Sequence, residues 1–313
     1  MTHYFKDLLL LKFANLFAHP FYMKPTCPNK NCSFFNSKET VHKDGTFFRR
    51  CESRFIQRFK CNTCGKKFSH ATNTLEFAQK KRSINSTLRG LLASGVSMRR
   101  SALLLKVNRI TVERKFVYLA KKAQLSQAEF LQSLRGKVSH VQFDDLITIE
   151  HTKLKPLTVS MAVDTKRRFI LGARVAPIPS FGHLAKLSRR KYGKRKNEHK
   201  KSLDELFQIM TPTLAPKPLL RSDEHNFYPP FLKKYVPDGK HEAFKSRRAS
   251  VAGQGELKKI YRDPLFAINH ACATLRANIN RLFRKTWCTT KKKERLQMHI
   301  DIFVNYHNTV YLN

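Results

Sequence analysis

Acidic residues are scarce in this sequence. It contains 22 Asp and Glu against 61 Lys and Arg, which gives a formal net charge of +39 over 313 residues. Solubility alone requires far less charge, and neutralising phosphates with Lys and Arg releases condensed counterions. The composition therefore excludes an acidic or neutral surface and predicts a polyanionic partner, DNA or RNA. Ribosomal proteins carry similar charge, so the kind of nucleic acid stays open at this point.

Long apolar runs are also missing. A membrane-spanning helix needs about 20 mostly apolar residues, and no such stretch occurs, which predicts no membrane association. The first 22 residues read as an amphipathic helix for a surface or dimer contact, because charges interrupt them and no signal-peptide core is present. Seven cysteines, an odd number, are typical of a reducing compartment. We therefore expect a cytoplasmic, nucleoid-associated bacterial protein.

The cysteines near the amino terminus form two close pairs. These are Cys27 with Cys32 and Cys61 with Cys64. Each pair fits a tight turn that offers two thiolates to one tetrahedral ion, and Gly65 follows where such a turn favours positive φ. The spacing predicts a zinc ribbon over residues 23–75, with structural Zn²⁺ as its cofactor.

Two strand-like segments lie between the cysteine pairs. They are residues 46–50 and 54–59, as a ribbon requires. Cys51 is a substitute ligand without a partner at short spacing. Cys272 and Cys288 lie in the helical carboxy-terminal part, where buried free thiols are the expected interpretation. An incidental thiol cluster or a disulfide framework fits the basic, reducing context poorly.

Residues 80–134 form a helical segment without proline. Apolar residues recur there at steps of three and four, and Ser97 can cap a first short helix. A second short helix from Arg109 would complete a helix-turn-helix, with Ala102, Ile110 and Val112 at the crossing. The predicted DNA-facing residues are Arg109, Thr111, Arg114 and Lys115. An ordinary helical hairpin with a basic solvated face is the alternative.

The pattern changes after Gly136 and predicts a third part over residues 137–313. Strands are expected over 138–149, 157–163 and 168–175 as an antiparallel meander, with a further short strand over 218–221. Helices are expected over 203–210 and 265–283, the second one capped by Asp263. A basic insertion over 178–202 offers Arg189, Arg190, Lys194 and Arg195 to DNA phosphates. A disordered solvated loop is the alternative interpretation.

Two apolar strands end in acids, which is notable where acids are few. The first carries Asp144 and Asp145, and the second ends at Asp223. Carboxylates at adjacent strand ends can hold Mg²⁺ or Mn²⁺, and two such ions promote phosphoryl transfer on DNA. The alternative is that each acid caps a turn or pairs with an arginine.

The order of these parts resembles the acidic-triad (DDE) transposases of bacterial insertion sequences, nearest the insertion-sequence-one type. The resemblance covers residues 24–308. It is carried by Phe143-Asp144-Asp145, by Asp164, by Asp223 with Tyr228, and by the block 275–286. It implies a ribonuclease-H-like catalytic domain, with Asp144 and Asp223 as the first two catalytic acids and Asp145 as a supporting residue.

The third acidic position departs from that family. Alignment on the block 275–286 places Asn269 where these enzymes carry Glu, and Asn supplies no charge. Glu256 is the favoured replacement because it follows Asp223 at a family-like interval in a Gly-rich, Lys-flanked stretch. Asp263 and Glu294 are the other candidates, although Asp263 is already explained as a helix cap.

The sequence as a whole predicts a multidomain α+β protein. It would comprise the zinc ribbon, the helix-turn-helix segment and an α/β ribonuclease-H-like domain with a mixed sheet. The expected function is a transposase that binds terminal inverted repeats and joins them to target DNA as a homo-oligomer. Two alternatives are a catalytically inactive, transposase-derived DNA-binding regulator and an RNA-associated structural protein. The second gives no reason for acids at the ends of two apolar strands.

Overall fold

The computed structural model describes residues 25–245, 263–283 and 287–312. The chain divides after Ile84 into two compact units. The predicted amphipathic lead, residues 1–22, lies outside the described residues. Within them the protein is a mixed α/β structure, as predicted, and no helix there combines the length and hydrophobicity needed to cross a bilayer.

The amino-terminal unit contains a three-stranded antiparallel sheet. Its strands are β1 (Val41–Arg49), β2 (Arg54–Cys61) and β3 (Lys67–Phe68), in that order across the sheet. The predicted strand segment 54–59 lies within β2, and the segment 46–50 lies in β1 except for Arg50, which begins a 3-10 turn. Its core consists of three cysteines with Val41, Phe59 and Phe68. So small a core gives little apolar stabilisation, which makes a metal ion the expected reinforcement.

Three helices open the second unit. They are α1 (Ile84–Ala93), α2 (Met98–Leu104) and α3 (Arg109–Ser133). Ser97 caps α2 as predicted, accepting a bond from the Arg100 amide at 3.2 Å. The second helix of the candidate motif was expected to be short, but α3 runs for 25 residues. Its apolar side chains share a core with Ile302 of the last helix, so the helical segment does not form a separate unit.

A five-stranded mixed sheet forms the centre of the second unit. Its strands are β4 (Val138–Glu150), β5 (Thr152–Asp164), β6 (Ile170–Pro177), β7 (Leu214–Asp223) and β8 (Lys240–Phe244). The order is β6-β5-β4-β7-β8. The first three strands pair antiparallel, which confirms the predicted meander, and β7 and β8 pair parallel. Strand β8 was not predicted from the sequence.

Helices cover both faces of this sheet. They are α4 (Leu184–Tyr192), α5 (His199–Met210), α6 (Tyr228–Tyr235), α7 (Phe266–Asn278) and α8 (Lys293–Tyr306). One core joins alternate residues of β5, including Met161, to Ile268 of α7 and Phe303 of α8. The opposite core joins Phe143 to Phe207 of α5, Tyr228 of α6 and the end of α3. Adjacent residues of β4 therefore face different helices.

The predicted basic insertion, residues 178–202, is mostly helical. It contains all of α4 and the first turn of α5, so the disordered-loop alternative is wrong for these residues. Only Ser188 of α4 is buried, where its hydroxyl donates to the Leu154 carbonyl at 2.7 Å. The helix therefore lies on the protein with its basic side chains exposed.

Candidate functional site

The four predicted zinc ligands converge. The Sγ atoms of Cys27, Cys32, Cys61 and Cys64 all lie within 4.8 Å of one another. Four sulfurs bound at about 2.3 Å to one tetrahedral ion lie about 3.8 Å apart. The Sγ atoms of Cys27 and Cys64 are 3.7 Å apart, and those of Cys32 and Cys61 are 3.9 Å apart. The cluster can therefore hold one structural metal ion such as zinc.

The turns around the cluster present the thiols as ligands. Gly65 has φ of +67°, as predicted, and its amide donates to the Cys61 carbonyl at 2.9 Å. The Thr40 hydroxyl lies 3.3 Å from Cys61 Sγ and is the main cause that lowers the pKa of this thiol to about 6. A thiolate is the form that binds a metal. Of the two cysteines predicted to be buried, Cys272 is buried and Cys288 is partly exposed.

Asp144 and Asp223 lie side by side on the central sheet. Strands β4 and β7 are parallel neighbours in which Gln142 pairs with Arg221. Asp144 and Asp223 come two residues later on their strands, so they are level and on the same face. The facing helix is α7, since Gln142 accepts the Ile268 amide at 3.0 Å and donates to the Pro264 carbonyl at 2.8 Å.

The surroundings of both carboxylates disfavour their ionised forms. Burial, and to a smaller extent the negative charges of Asp223 and Asp145, raises the pKa of Asp144 to about 7. Burial is also the main cause that raises the pKa of Asp223. Asp223 Oδ1 is buried without a hydrogen-bond partner among the described residues. An unpartnered buried carboxylate oxygen beside a second acid fits a divalent cation better than a turn cap.

Asp145 faces away from this pair, towards α5 and α6. Its Oδ1 accepts from the hydroxyls of Ser160 at 2.5 Å and Thr158 at 3.0 Å. Its Oδ2 lies 2.8 Å from the Tyr228 hydroxyl and 2.7 Å from His199 Nε2. Burial acts to raise the pKa of Asp145, but the interactions with His199, Ser160 and Tyr228, of which His199 contributes most, outweigh it and lower this pKa. With its oxygens so occupied, Asp145 supports the site and does not offer a free ligand.

The backbone connects this network to the catalytic candidate. The Asp145 amide donates to Asp144 Oδ1 at 2.7 Å, so the side chains that fix Asp145 also fix Asp144. Asp145 was predicted from the sequence, whereas His199 was missed and Tyr228 was assigned no role. Both lie far along the chain, at 54 and 83 residues from Asp145. Only the tertiary fold identifies such partners.

The candidates for the third position have different surroundings. Asp263 Oδ1 accepts the Leu265 amide at 3.0 Å in the turn before α7, but the N-cap position of this helix is Leu265 and not Asp263 as predicted. Its Oδ2 accepts from the Asn269 side-chain amide at 2.9 Å. Asn269 precedes Cys272 by one helical turn on α7. Burial, and to a smaller extent the negative charge of Asp144, raises the pKa of Cys272. Glu294 is exposed in the first turn of α8, and Glu256 lies outside the described residues.

The helix-turn-helix face matches the prediction in part. Arg109 and Arg114 are exposed and Thr111 is half-buried. Lys115 was predicted on the outer face, but it is 5% exposed and its ammonium donates to Asn85 Oδ1 at 2.6 Å. Ile110 was predicted at the helix crossing, but it is 52% exposed. At these two positions, the prediction exchanged the solvent-exposed face of α3 with its buried face.

The basic residues of the insertion also divide into two groups. Arg189, Arg190 and Lys194 are exposed, as a phosphate-binding surface requires. Arg195 was predicted beside them, but its guanidinium pairs with Glu150 at 3.2 Å and its side chain is only 14% exposed. Because Glu150 already balances this charge, Arg195 joins the loop to the end of β4. We therefore remove it from the candidate DNA-binding residues.

No family model matches the chain, and no curated protein matches it.

Proposed function

We propose that the protein is a DNA transposase that cuts and joins DNA strands with Mg²⁺ or Mn²⁺. The observation that carries this proposal is the pairing of Asp144 with Asp223. The two acids are level on neighbouring strands, both have a raised pKa, and Asp223 keeps a buried oxygen without a partner. Such a pair fits a divalent cation that acts on phosphate esters.

The sheet topology supports assignment of the second unit to a ribonuclease-H-like fold. An antiparallel three-stranded meander, β4-β5-β6, is extended by the parallel strands β7 and β8 beside β4. Along the chain, the two acids lie on the first and fourth strands of this sheet, β4 and β7. The resemblance to acidic-triad transposases requires them there. The zinc ribbon and the α2–α3 helix pair precede this domain along the chain, in the order that the resemblance implies.

In the proposed reaction, Asp144 and Asp223 hold the metal and Asp145 keeps Asp144 in position. Divalent ions, when bound, activate a water or a 3′-hydroxyl and stabilise the leaving oxygen at phosphorus. Ionised Asp144 is the form that binds a cation, so the site works best above the pKa of this group. Glu256 remains the proposed third carboxylate, with Asn269 near the site on α7.

DNA contacts are assigned to the exposed basic side chains. Arg109, Thr111 and Arg114 would meet a groove of the terminal inverted repeats, while Arg189, Arg190 and Lys194 would lie along phosphates. The ribbon would take part in recognition of the repeats. Because two element ends must be joined to one target, the active form is proposed to be a homo-oligomer in the bacterial cytoplasm, associated with the nucleoid.

A strand-transfer assay tests this proposal. DNA duplexes ending in the repeats that flank the gene are incubated with protein, Mg²⁺ and a target plasmid. We expect joined products with wild type and none with Asp144→Asn or Asp223→Asn. Asp238→Asn is the control because Asp238 is exposed and distant from the pair in the fold. Joined products that persist in both active-site variants would refute the proposal.

One observation favours a second candidate, a DNA-binding regulator that no longer cuts. Asn269 occupies the expected third acidic position, and its amide is engaged with Asp263. The regulator would bind repeat DNA without forming joined products in any divalent ion. If wild type cuts, comparison of Glu256→Gln with Asp263→Asn identifies the third acid. Our assignment expects the first variant to be inactive and the second active, and the reverse result would contradict it.

A further inference from the structure

Two arginines share one aromatic ring at the junction of the helical segment with the end of the chain. The guanidinium carbons of Arg281 and Arg295 lie 5.7 and 6.0 Å from the centroid of the Phe116 ring. Arg281 follows α7 in a short 3-10 turn, and Arg295 lies in the first turn of α8. Phe116 is a fully buried residue of α3. Three elements that are distant in sequence thus place two positive charges around the same ring.

Neither charge is balanced within the described part of the chain. No described carboxylate lies within 4.0 Å of Arg281 or Arg295, and neither guanidinium has a described hydrogen-bond acceptor. Both residues are partly buried. Burial, and to a smaller extent the charge of Arg295, lowers the pKa of Arg281, so the charged form of Arg281 is disfavoured where it lies. Arg295 is also in a first helical turn, where the helix dipole disfavours a cation.

The other polar groups nearby do not supply negative charge. His299, whose ring meets Phe116 edge-on at 5.7 Å, is buried, and burial is the main cause that lowers its pKa to about 4. His299 is therefore neutral at pH 7 and does not neutralise either arginine. Lys115, next to Phe116 in sequence on α3, is itself a cation, and its ammonium donates to Asn85 Oδ1. Burying part of a charge that lacks a partner lowers the stability of the folded protein, and an anionic ligand would offset that loss.

The backbone around this cluster is closely packed. A side chain on Gly95, in the turn between α1 and α2, would come within 3.1 Å of Phe283 Cζ and 3.4 Å of the Ala277 carbonyl oxygen. The segment that carries Arg281 is thus held against the start of the helix-turn-helix candidate. An anion bound by the two arginines would lie where the DNA-facing helices meet the helix that covers the carboxylate pair.

We propose that Arg281 and Arg295 bind one phosphate group of a nucleic-acid backbone. Arginine suits this role because its planar guanidinium donates two parallel hydrogen bonds to phosphate oxygens. The choice of DNA as the source of the phosphate rests on the proposed function. The anion site itself rests only on the two uncompensated charges. It would connect DNA docking on α2 and α3 with the position of α7.

Inorganic phosphate tests the anion site without DNA. Thermal unfolding is followed in sodium phosphate and in sodium chloride at equal ionic strength and pH. Wild type should melt at a higher temperature in phosphate, and Arg281→Met and Arg295→Met should lose most of this difference. Methionine keeps an apolar chain over Phe116 but removes the charge, and Arg135→Met is the control because Arg135 is an exposed arginine with no assigned role in DNA binding.

The same melts separate an anion site from a purely structural cluster. We expect both variants to melt in chloride at or above the wild-type temperature, because removing one charge relieves the repulsion. Lower melting in chloride together with an unchanged phosphate response would overturn the inference, since it would show that the arginines act only through contact with Phe116.

A DNA titration distinguishes failure of this inference from failure of the proposed function. Each substitution should reduce the slope of log affinity against log salt by about 1, the value for one lost phosphate contact. If wild type binds DNA and the variants show the same salt slope as wild type, the anion site is contradicted and the transposase proposal is unaffected. Phosphate stabilisation without any DNA binding would support the anion site and contradict the transposase.

Discussion

At the scale of single residues, alternation along one strand separates two roles. Asp144 and Asp145 are neighbours in sequence, but β4 directs them to opposite faces. Asp145 meets four donors, and its pKa is lowered. Asp144 meets a second acid and its pKa is raised. One acid is thereby satisfied within the protein while the other stays available to a cation.

The raised pKa of Asp144 predicts a pH-dependent stability. Burial, the main cause, raises the pKa from 3.8 to about 7, so between these values the folded chain binds more protons than the unfolded chain. The stabilisation is complete below about pH 4 and is lost as pH rises through 7, at most about 4 kcal/mol. Asp144→Asn should therefore melt progressively higher than wild type between pH 5 and 8 in buffer without added divalent ions.

Added Mg²⁺ provides the control for this pH dependence. It should raise the melting temperature of wild type at pH 8 and leave Asp144→Asn nearly unchanged, because the ion replaces the proton. Asp238→Asn should follow wild type throughout. A constant difference between wild type and Asp144→Asn from pH 5 to 8 would show that the Asp144 carboxyl is not perturbed.

At the scale of elements, the ribbon should depend on its metal. The purified protein is expected to contain one zinc per chain, measured by atomic emission, and Cys61→Ser should contain none. Cys288→Ser should retain the metal because Cys288 lies outside the cluster. The small apolar core of the ribbon makes unfolding of β1–β3 the expected result of metal loss. Less than about one zinc per wild-type chain would contradict the metal site.

The turn between α1 and α2 should tolerate no side chain. Gly95 has φ of +76° and little free space, whereas Gly182 has φ of +61° and nothing within 4 Å of an added Cβ. Gly182→Ala should cost only the backbone strain, about 1 kcal/mol, since alanine disfavours positive φ. Gly95→Ala should cost about 1–3 kcal/mol more because its neighbours must also move. Equal unfolding free energies in urea would contradict the close packing.

Sequence periodicity predicted the elements better than their partners. Strands β4 to β7 were expected because β-branched residues and polar turns delimit them. Strand β8 was missed because Lys240, His241 and Glu242 make it polar, and it forms only as an edge beside β7. The helical nature of the basic run was also missed, since charge dominates its pattern although Leu, Arg and Lys favour helices.

In the candidate site as well, the residues marked by local sequence features were predictable, but their partners in the fold were not. The two acids and the four cysteines follow from local spacing and strand position. The hydrogen bond of Lys115 to Asn85 and the pairing of Arg195 with Glu150 do not, because each depends on how distant segments pack. The sequence therefore predicted more exposed basic side chains for DNA contact than the fold presents.

At the scale of the whole molecule, the charge of +39 should control DNA affinity through salt. A protein with 6 to 10 phosphate contacts loses roughly 10³ to 10⁵ in affinity between 50 and 200 mM salt. We expect wild type to fall in this range by fluorescence anisotropy with duplex DNA. Replacing both Arg189 and Arg190 with Gln should reduce the salt slope by about 2.

Arg195→Gln is the matched control for this experiment. Its charge is already neutralised by Glu150, so the slope should remain that of wild type. A larger effect for Arg195 than for the exposed pair would contradict the surface described for α4. Tighter binding to structured RNA than to duplex DNA at matched salt would favour an RNA-associated protein instead.

The central claim is that Asp144 and Asp223 form a divalent metal site, and Mn²⁺ binding tests it without knowledge of the cognate DNA. Electron paramagnetic resonance measures free Mn²⁺ during titration of the zinc-loaded protein. Wild type should remove Mn²⁺ from solution, and Asp144→Asn and Asp223→Asn should bind it at least tenfold more weakly, with Asp238→Asn like wild type. Equal Mn²⁺ binding by wild type and the double variant would contradict the account.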